Sequence, residues 1–357
     1  MMTRVLLVHA GIIPHYRIPI YNFLSKYLSR YNFDLFITSN AVQPAAPDVV
    51  EFKYTPLGLS ALTVAKHIKK NSIDVMIDYM EIKHRYLFPT YLIVKGIMRK
   101  KVIYWGQGRD LLDAESKIKN LAYFIEQFFC DAIILYADFL RKFIAKNYNK
   151  KTFVANNTLY IDYKGLPRGT TREQILRGYG IKTQKNIICM GRMQLRKQID
   201  HLHQAFNRLN GPDVGLILVG PDTENVLGGI YGPNIYKLGP IYGNKRFDLL
   251  VSSDIFCLPG AVGLSIIDAF YCGLPFITED SYLSAEMMYL KDGVNGFIVP
   301  PNDISALTAK LQLLLDDNDL RRKFSDAAMQ EAKGNASIEK MSAGFRDALL
   351  YVMAETK

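Results

Sequence analysis

The stretch "LPGAVGLSIIDAFYCGLP", residues 258–275, holds the pattern from which the fold is read. It begins as the apolar end of a strand and passes through a loop marked by Gly260 and Gly263. It continues as an apolar helix with one acid, Asp268, and stops at Gly-Leu-Pro. Strand, glycine loop and helix in that order form the repeating unit of a parallel α/β sheet.

The same unit recurs outward in both directions. "NIICMGRM" (186–193) is an apolar strand running into a Gly-Arg turn, and "QIDHLHQAFNRLN" (198–210) has helical periodicity. "VGLILVGP" (214–221), "NIYKLGPI" (234–241), "IFCLPG" (255–260), "PFITED" (275–280) and "GFIVPPND" (296–303) supply further strands. "NKRFDLLVSSD" (244–254) and "ISALTAKLQLLLDD" (304–317) are helical.

The first half alternates in the same way. Strands are expected at 4–10, 33–39, 74–79, 102–108, 131–137 and 151–158, and helices at 18–30, 62–71, 85–101, 116–129 and 138–148. Continuous apolar runs such as "RVLLVHA" (4–10) suit parallel strands buried on both faces. The expected fold class is α/β, with two Rossmann-like, doubly wound domains facing a central cleft. The expected division is residues 1–170, residues 171–336, and a final helix, 337–357, that crosses back to the first domain. In open sheets of this kind ligands bind beyond the carboxyl ends of the strands, so the strand-to-helix loops are where chemistry is sought.

A chain of 357 residues is long for one core and suits two domains. Its 49% hydrophobic and 22% charged residues describe an ordinary globular protein. The four cysteines form no C-x-x-C pair and read as buried free thiols in a reducing compartment. The N-terminus fits a first strand rather than a secretory signal, and no run of about 18 apolar residues is present. The expected location is cytoplasmic.

The net charge of +10 is one-sided. Residues 1–170 hold 24 Lys+Arg and 13 Asp+Glu, a net +11, whereas residues 171–357 hold 20 and 21, a net −1. Such asymmetry points to an anionic partner for the first half. Because the basic residues are dispersed and no recognition motif occurs, that partner is not expected to be nucleic acid.

Four loops are candidates. In "HAGIIPHYR" (9–17), with His15 and Tyr16, Gly11 lets the backbone approach a ligand closely and Arg17, near a helix start, could hold a phosphate; the plainer reading is a turn glycine and a surface arginine. "YWGQGRDL" (104–111) offers Trp105, Gln107 and Arg109, against a plain tight turn. "GRMQLRKQIDHL" (191–202) places Arg192 and Lys197 after Gly191, ahead of a helix whose N-terminus favours anions. The alternative there is a solvated pair. In the opening stretch, Val262, Gly263, Leu264 and Ser265 begin a helix that can seat a diphosphate, and Asp268 can accept from a sugar's adjacent hydroxyls unless it is a core-edge acid. "DDND" (316–319) reads as a helix N-cap rather than a metal site. The histidines lack metal spacing, and neither G-x-x-x-x-G-K-[ST] nor G-x-G-x-x-G occurs.

These residues resemble retaining GT-B glycosyltransferases of family 4. "GRMQLRK" is similar to that family's Gly-Arg-Leu-x-x-x-Lys, "LILVGPD" to its Val-Gly strand end, and "IYKLGPI", with Leu238, to its base-contacting strand. "GLSIIDAFYCGLPFITED" is similar to Gly-Leu-x-x-x-Glu-Ala-x-x-x-Gly-x-Pro-Val, and "SAEMMYLKDGVNGFIVPPND" resembles the segment that follows it. The likeness covers about residues 186–330. The first half matches more loosely, through "GIIPHYR", "YWGQGR" and "VANNT", in the style of bacterial surface-polysaccharide enzymes.

The resemblance implies a retaining transfer from a UDP- or GDP-linked sugar, without a cofactor or divalent metal. Arg192 and Lys197 would neutralise the leaving diphosphate. Gly11, Gly191, Leu238, Gly260, Ala261, Val262, Gly263, Leu264, Asp268 and Glu286 would line the donor site, with Asp268 on the ribose. His15, Tyr16, Arg17, Trp105, Gln107 and Arg109 would face the acceptor. The implied partners are a nucleotide sugar, a lipid-linked oligosaccharide acceptor and the anionic inner face of the cytoplasmic membrane, with basic and aromatic residues around 85–104 as the docking face.

The sequence departs from the family at Gly260, where the first of two motif acids is expected. Backbone N–H groups at 261–263 or the carboxylate of Glu286 are the candidate replacements. Two other readings stay open: a nucleotide-sugar epimerase of the same fold, and a non-catalytic nucleotide-sugar-binding subunit.

Overall fold

The computed structural model describes residues 2–43, 49–79, 89–111 and 116–354. The chain divides into two compact units, Met1–Tyr160 with Ser337–Lys357, and Ile161–Ala336.

In the first unit, besides a two-residue parallel pair at Ile12–Ile13 and Ala41–Val42, the described strands are β1 (Thr3–His9), β2 (Phe33–Ser39), β3 (Lys53–Pro56), β4 (Val75–Tyr79), β5 (Lys101–Gly106), β6 (Ala132–Leu135) and β7 (Thr152–Val154). They form one parallel sheet in the order β3-β2-β1-β4-β5-β6-β7. Val5 of β1 stands level with Leu35 of β2 and Val75 of β4, so β1 is central. That position explains its unbroken Val-Leu-Leu-Val run, since both faces of the strand are covered.

Helix α1 (Arg17–Ser29) follows β1, and α2 (Ala61–Lys70) starts from a capping box between Ser60 and Thr63. Helix α3 (Lys117–Phe129) connects β5 to β6.

The second unit starts with α4 (Arg172–Gly178), capped by Thr171 and Gln174. Its described strands are β8 (Lys185–Met190), β9 (Val214–Val219), β10 (Ile235–Lys237), β11 (Ile255–Cys257), β12 (Phe276–Glu279) and β13 (Gly296–Val299), all parallel, in the order β10-β9-β8-β11-β12-β13. Helices α5 (Ile199–Phe206), α6 (Asn244–Val251), α7 (Ser265–Tyr271), α8 (Ile304–Asp316) and α9 (Asn318–Lys333) complete it. Asp317 caps α9 by accepting from the Leu320 N–H at 2.9 Å.

Helix α10 (Ile338–Ala354) returns to the first unit. Its Phe345 ring lies 4.8 Å from Trp105. Gly344 lets the helix backbone touch β7, where a Cβ would sit 2.1 Å from the Val154 carbonyl oxygen.

Two expected helices differ. Instead of one helix over 85–101, the described part is a short turn at Pro89–Tyr91 followed by a π-helical segment, Leu92–Ile97; residues 85–88 lie outside the described residues. Residues 138–148 become two 3₁₀ turns, Asp138–Phe143 and Lys146–Lys151. Between them Ile144 is buried and extended (φ −98°, ψ 142°), which breaks the helical ladder.

Candidate active site

The strand order of the second unit reverses between β8 and β11, the position where open α/β sheets leave a crevice for ligands. The two loops that leave these strands carry the most distinctive residues of the sequence. Gly191 and Arg192 follow β8, and 258–263 follows β11. Arg192 is exposed.

Helix α5 begins within one residue of the expected start at 198, but the chain does not run straight into it. Residues Leu195–Lys197 form a 3₁₀ turn, Gln198 adopts a left-handed conformation (φ 51°), and the helix starts at Ile199. Lys197 therefore turns toward the β11 loop instead of the α5 N-terminus, and its ammonium donates to the Ala261 carbonyl.

The two loops are joined through their backbones. The Gly260 N–H donates to the Lys197 carbonyl at 3.0 Å, and the Ala261 N–H to the Arg196 carbonyl at 2.9 Å. A Cβ on Gly260 would lie 2.2 Å from the Arg196 oxygen and 2.8 Å from the Lys197 Cα. No side chain fits there, which accounts for the missing acid. The junction also corrects an expectation: the Ala261 N–H is already used and is not available to a donor sugar.

Lys197 is largely buried, and its pKa is lowered to about 8. Burial is the main cause, followed by repulsion from Arg196, with Arg192 adding to it; Cys189 and Glu286 oppose. The site is thus an excess of positive charge held in a poorly hydrated place, which an anion would relieve. Glu286, itself buried on the short turn Ala285–Tyr289, is the carboxylate whose field reaches Lys197. Cys189 and Cys257 are free and buried on the adjacent strands β8 and β11.

Asp268 lies on α7 and accepts from Arg246 Nη2 at 3.3 Å. Burial raises its pKa, and Arg246 opposes the rise. Leu238 continues past β10, its N–H bonded to the Leu218 carbonyl at 2.9 Å. Gly220, at the end of β9, donates to the Gly239 carbonyl at 2.8 Å, and a Cβ on it would overlap the Gly191 oxygen at 1.7 Å. Gly191, Leu238, Gly263, Leu264 and Val262 all therefore lie at or just beyond carboxyl ends of this sheet.

In the first unit the order reverses between β1 and β4. Gly11 (φ 85°) follows β1, and its carbonyl accepts from the Asn40 N–H. His15 and Tyr16 pack edge to face at 5.8 Å, and Tyr16 is 38% exposed. Arg17 is not a surface residue; it is 2% exposed.

Trp105 requires a correction. It is fully buried, wedged among Tyr21, Tyr79, Tyr136 and Phe345, and belongs to the core rather than to an acceptor surface. The glycines around Gln107 also serve packing. Gly106 passes close to the Tyr104 hydroxyl, and Gly108 (φ 75°) donates to that hydroxyl and accepts from Gln127 Nε2 at 2.7 Å. Gln107 is partly exposed, and the Arg109 guanidinium lies 5.1 Å from the Phe143 ring centroid.

Sequence reasoning missed Arg246, the partner of Asp268 from α6, and Asn157, which accepts from Arg17. "VANNT" had drawn notice, but nothing local tied Asn157 to a residue 140 positions earlier.

Residues 171–331 match the family described as Glycosyl transferases group 1. Among curated relatives, a glycosyltransferase of Methanocaldococcus jannaschii (MJ1069) is 27% identical over 68% of this chain and 66% of its own. The lipopolysaccharide core biosynthesis glycosyltransferase LpsE of Rhizobium meliloti is 25% identical over 47% and 49%. The chain thus spans less than two thirds of the curated relatives it matches. Among solved structures, Anabaena Alr3699/HepE in complex with UDP and glucose superposes with a TM-score of 0.75 at 15% identity, covering 97% of this chain and 99% of the other. The chain therefore has the fold of the GT-B glycosyltransferases, and its residues 171–331 match the Glycosyl transferases group 1 family.

Proposed function

We propose that the chain is a glycosyltransferase that moves a sugar from a nucleoside-diphosphate sugar to a lipid-linked glycan acceptor, with retention of anomeric configuration and without a metal ion. The observation that supports this most is the meeting of Lys197 and the 260–263 loop at the switch point of the second unit, with Arg192 contributing to the same positive field. The leaving group of the reaction is a nucleoside diphosphate, whose negative charge grows as the glycosidic bond breaks. A largely buried, hydrogen-bonded cation such as Lys197 stabilises that charge more in the transition state than in the ground state, and the exposed Arg192 adds to its field. The acceptor hydroxyl oxygen bonds to the anomeric carbon, the carbon–oxygen bond to the diphosphate breaks, and the hydroxyl proton passes to the departing phosphate oxygen. No side-chain base is needed. UDP is the favoured leaving group, because the HepE structure of similar fold holds UDP and glucose.

A lipid-linked acceptor and a membrane surface are supported by α3, whose polarity is reversed. Leu121, Phe124 and Phe128, on one stripe of the helix, are exposed, whereas Glu126 and Gln127 are buried. Ile97 is 78% exposed, on the segment whose Lys95 pairs with Asp131 just after α3. An exposed apolar ridge with Lys117, Arg99 and Lys100 on the same unit suits insertion into an anionic leaflet. This narrows the docking face expected around residues 85–104 to Leu92–Ile97 and adds α3 to it. No described helix is long and apolar enough to cross a membrane.

The test is to incubate the protein with a panel of UDP- and GDP-sugars, with and without lipid-linked acceptors. The expected result is acceptor-dependent release of nucleoside diphosphate and a product of unchanged anomeric configuration. Interconversion of the nucleotide sugar without acceptor would instead indicate an epimerase.

A further inference from the structure

Arg17 is the most unusual cation of the first unit. It is 2% exposed, and no carboxylate pairs with it among the described residues. Among the described residues only Nη2 of its three guanidinium nitrogens has a hydrogen-bond partner, the Asn157 side-chain oxygen at 3.1 Å; Nε and Nη1 have none there. The rings of Tyr16, Tyr79 and Trp105 lie 5.7, 5.5 and 5.3 Å from it. Those rings attract the positive charge, but they do not accept the in-plane N–H groups. An arginine cannot release its proton to escape burial, so this charge lacks a counter-ion.

The position matters as much as the burial. Tyr79 ends β4, Trp105 lies near the end of β5, and Asn157 follows β7, so the guanidinium lies over the carboxyl ends of the sheet, beside the β1/β4 switch point. Arg17 also opens α1, a helix with no acid in its first turn and no side-chain cap at Tyr16. The positive end of that helix adds to the field of the arginine. Of the three rings, Tyr16 is the most exposed, and its rotation would admit a ligand.

The geometry points to Arg17 as a phosphoryl-binding site in the first unit, with Tyr16 as its cover and Asn157 orienting the guanidinium fork. Arginine suits this task because its planar donors match phosphate oxygens. Under the proposed glycosyl transfer, on which the biological meaning of the site rests, the phosphoryl group belongs either to the acceptor or to the nucleotide donor.

The experiment uses the full chain carrying Arg192→Ala and Lys197→Ala, so that the donor cations are removed. Inorganic pyrophosphate is titrated by calorimetry and by thermal shift, since a ligand of the folded state raises the midpoint by mass action. The expected result is residual binding that weakens at least ten-fold, as a rough threshold, when Arg17→Met is added. Equal binding with and without Arg17→Met overturns the proposal, and so does the absence of residual binding. Should the Met variant fail to fold, Arg17→Lys in the same background keeps a charge but loses the fork; unchanged binding there also overturns it.

Competition by hexyl phosphate assigns the group to the acceptor, and competition by UDP assigns it to the donor. Failure of the transfer reading is seen separately, as a lack of acceptor-dependent UDP or GDP release by the unmodified protein.

Discussion

The Gly260 N–H donates to the Lys197 carbonyl at 3.0 Å, which ties the loop after β11 to the turn after β8 across the switch point of the second unit. This bond and its neighbour from Ala261 to Arg196 set the Lys197 ammonium on the Ala261 carbonyl. The arrangement tolerates no side chain at 260. Gly260→Glu, which would restore the acid of the related motif, is therefore expected to destabilise the protein by about 1–3 kcal/mol through overpacking and to lower turnover. Thermal denaturation and initial rates check this; a stable, more active Gly260→Glu protein would refute it.

Lys197 titrates at about 8, below its ordinary 10.5, because burial and the nearby arginines disfavour its charge. Affinity for a nucleoside diphosphate should be constant below that value and fall as pH rises through it. Folding stability moves the other way. Between about 8 and 10.5 the unfolded chain holds a proton that the folded chain has lost, so this group makes folding more favourable as pH rises through that window. Bound diphosphate should raise the Lys197 pKa, so calorimetry near pH 8.5 in buffers of different ionisation enthalpy should detect proton uptake. Lys197→Ala should lower kcat/KM by about 100-fold or more and abolish the uptake.

Asp268 is expected to hold the ribose while Arg246, donating to its carboxylate, opposes the rise in pKa that burial causes. The unmodified protein should prefer UDP over its 2′,3′-dideoxy analogue by about ten-fold, roughly the value of one charge-assisted hydrogen bond. Asp268→Asn should reduce that preference to near unity. A variant that keeps the full preference would remove Asp268 from the ribose site.

Liposome binding should depend on the reversed helix. Phe124→Ser with Phe128→Ser should weaken co-sedimentation with anionic vesicles while leaving thermal stability nearly unchanged, because both rings are exposed. Binding by the unmodified protein should fall as salt is raised. Equal binding of neutral and anionic vesicles would argue against the surface.

EDTA should leave the transfer rate within about two-fold of its starting value, since the leaving charge is assigned to side-chain cations. A rate restored only by added manganese or magnesium would contradict that assignment.

The sequence alone determined the alternation of strands and helices, the two-fold repeat of the doubly wound pattern and the glycine-marked loops after the strands of the second unit. These are local properties: an apolar run marks a buried parallel strand, and a glycine before a helix marks the loop that leaves it. The positions of Arg192, Lys197 and Asp268 could be read in the same way, because each lies within a few residues of its own strand end.

What the tertiary structure decided depends on residues far apart in the chain. Gly260 is a glycine because Arg196 and Lys197 pack against it, 63 or more positions away. Trp105 belongs to the core because a helix more than 230 residues later covers it. Arg17 could be read as a phosphate contact or as a surface cation, and its burial, 5.7 Å from the Tyr16 ring and bonded to Asn157, was not visible in the sequence. Periodicity reports which face of an element is apolar, but not which distant backbone or ring will meet it. Burial and close approach are set only when the strands take their order in the sheet.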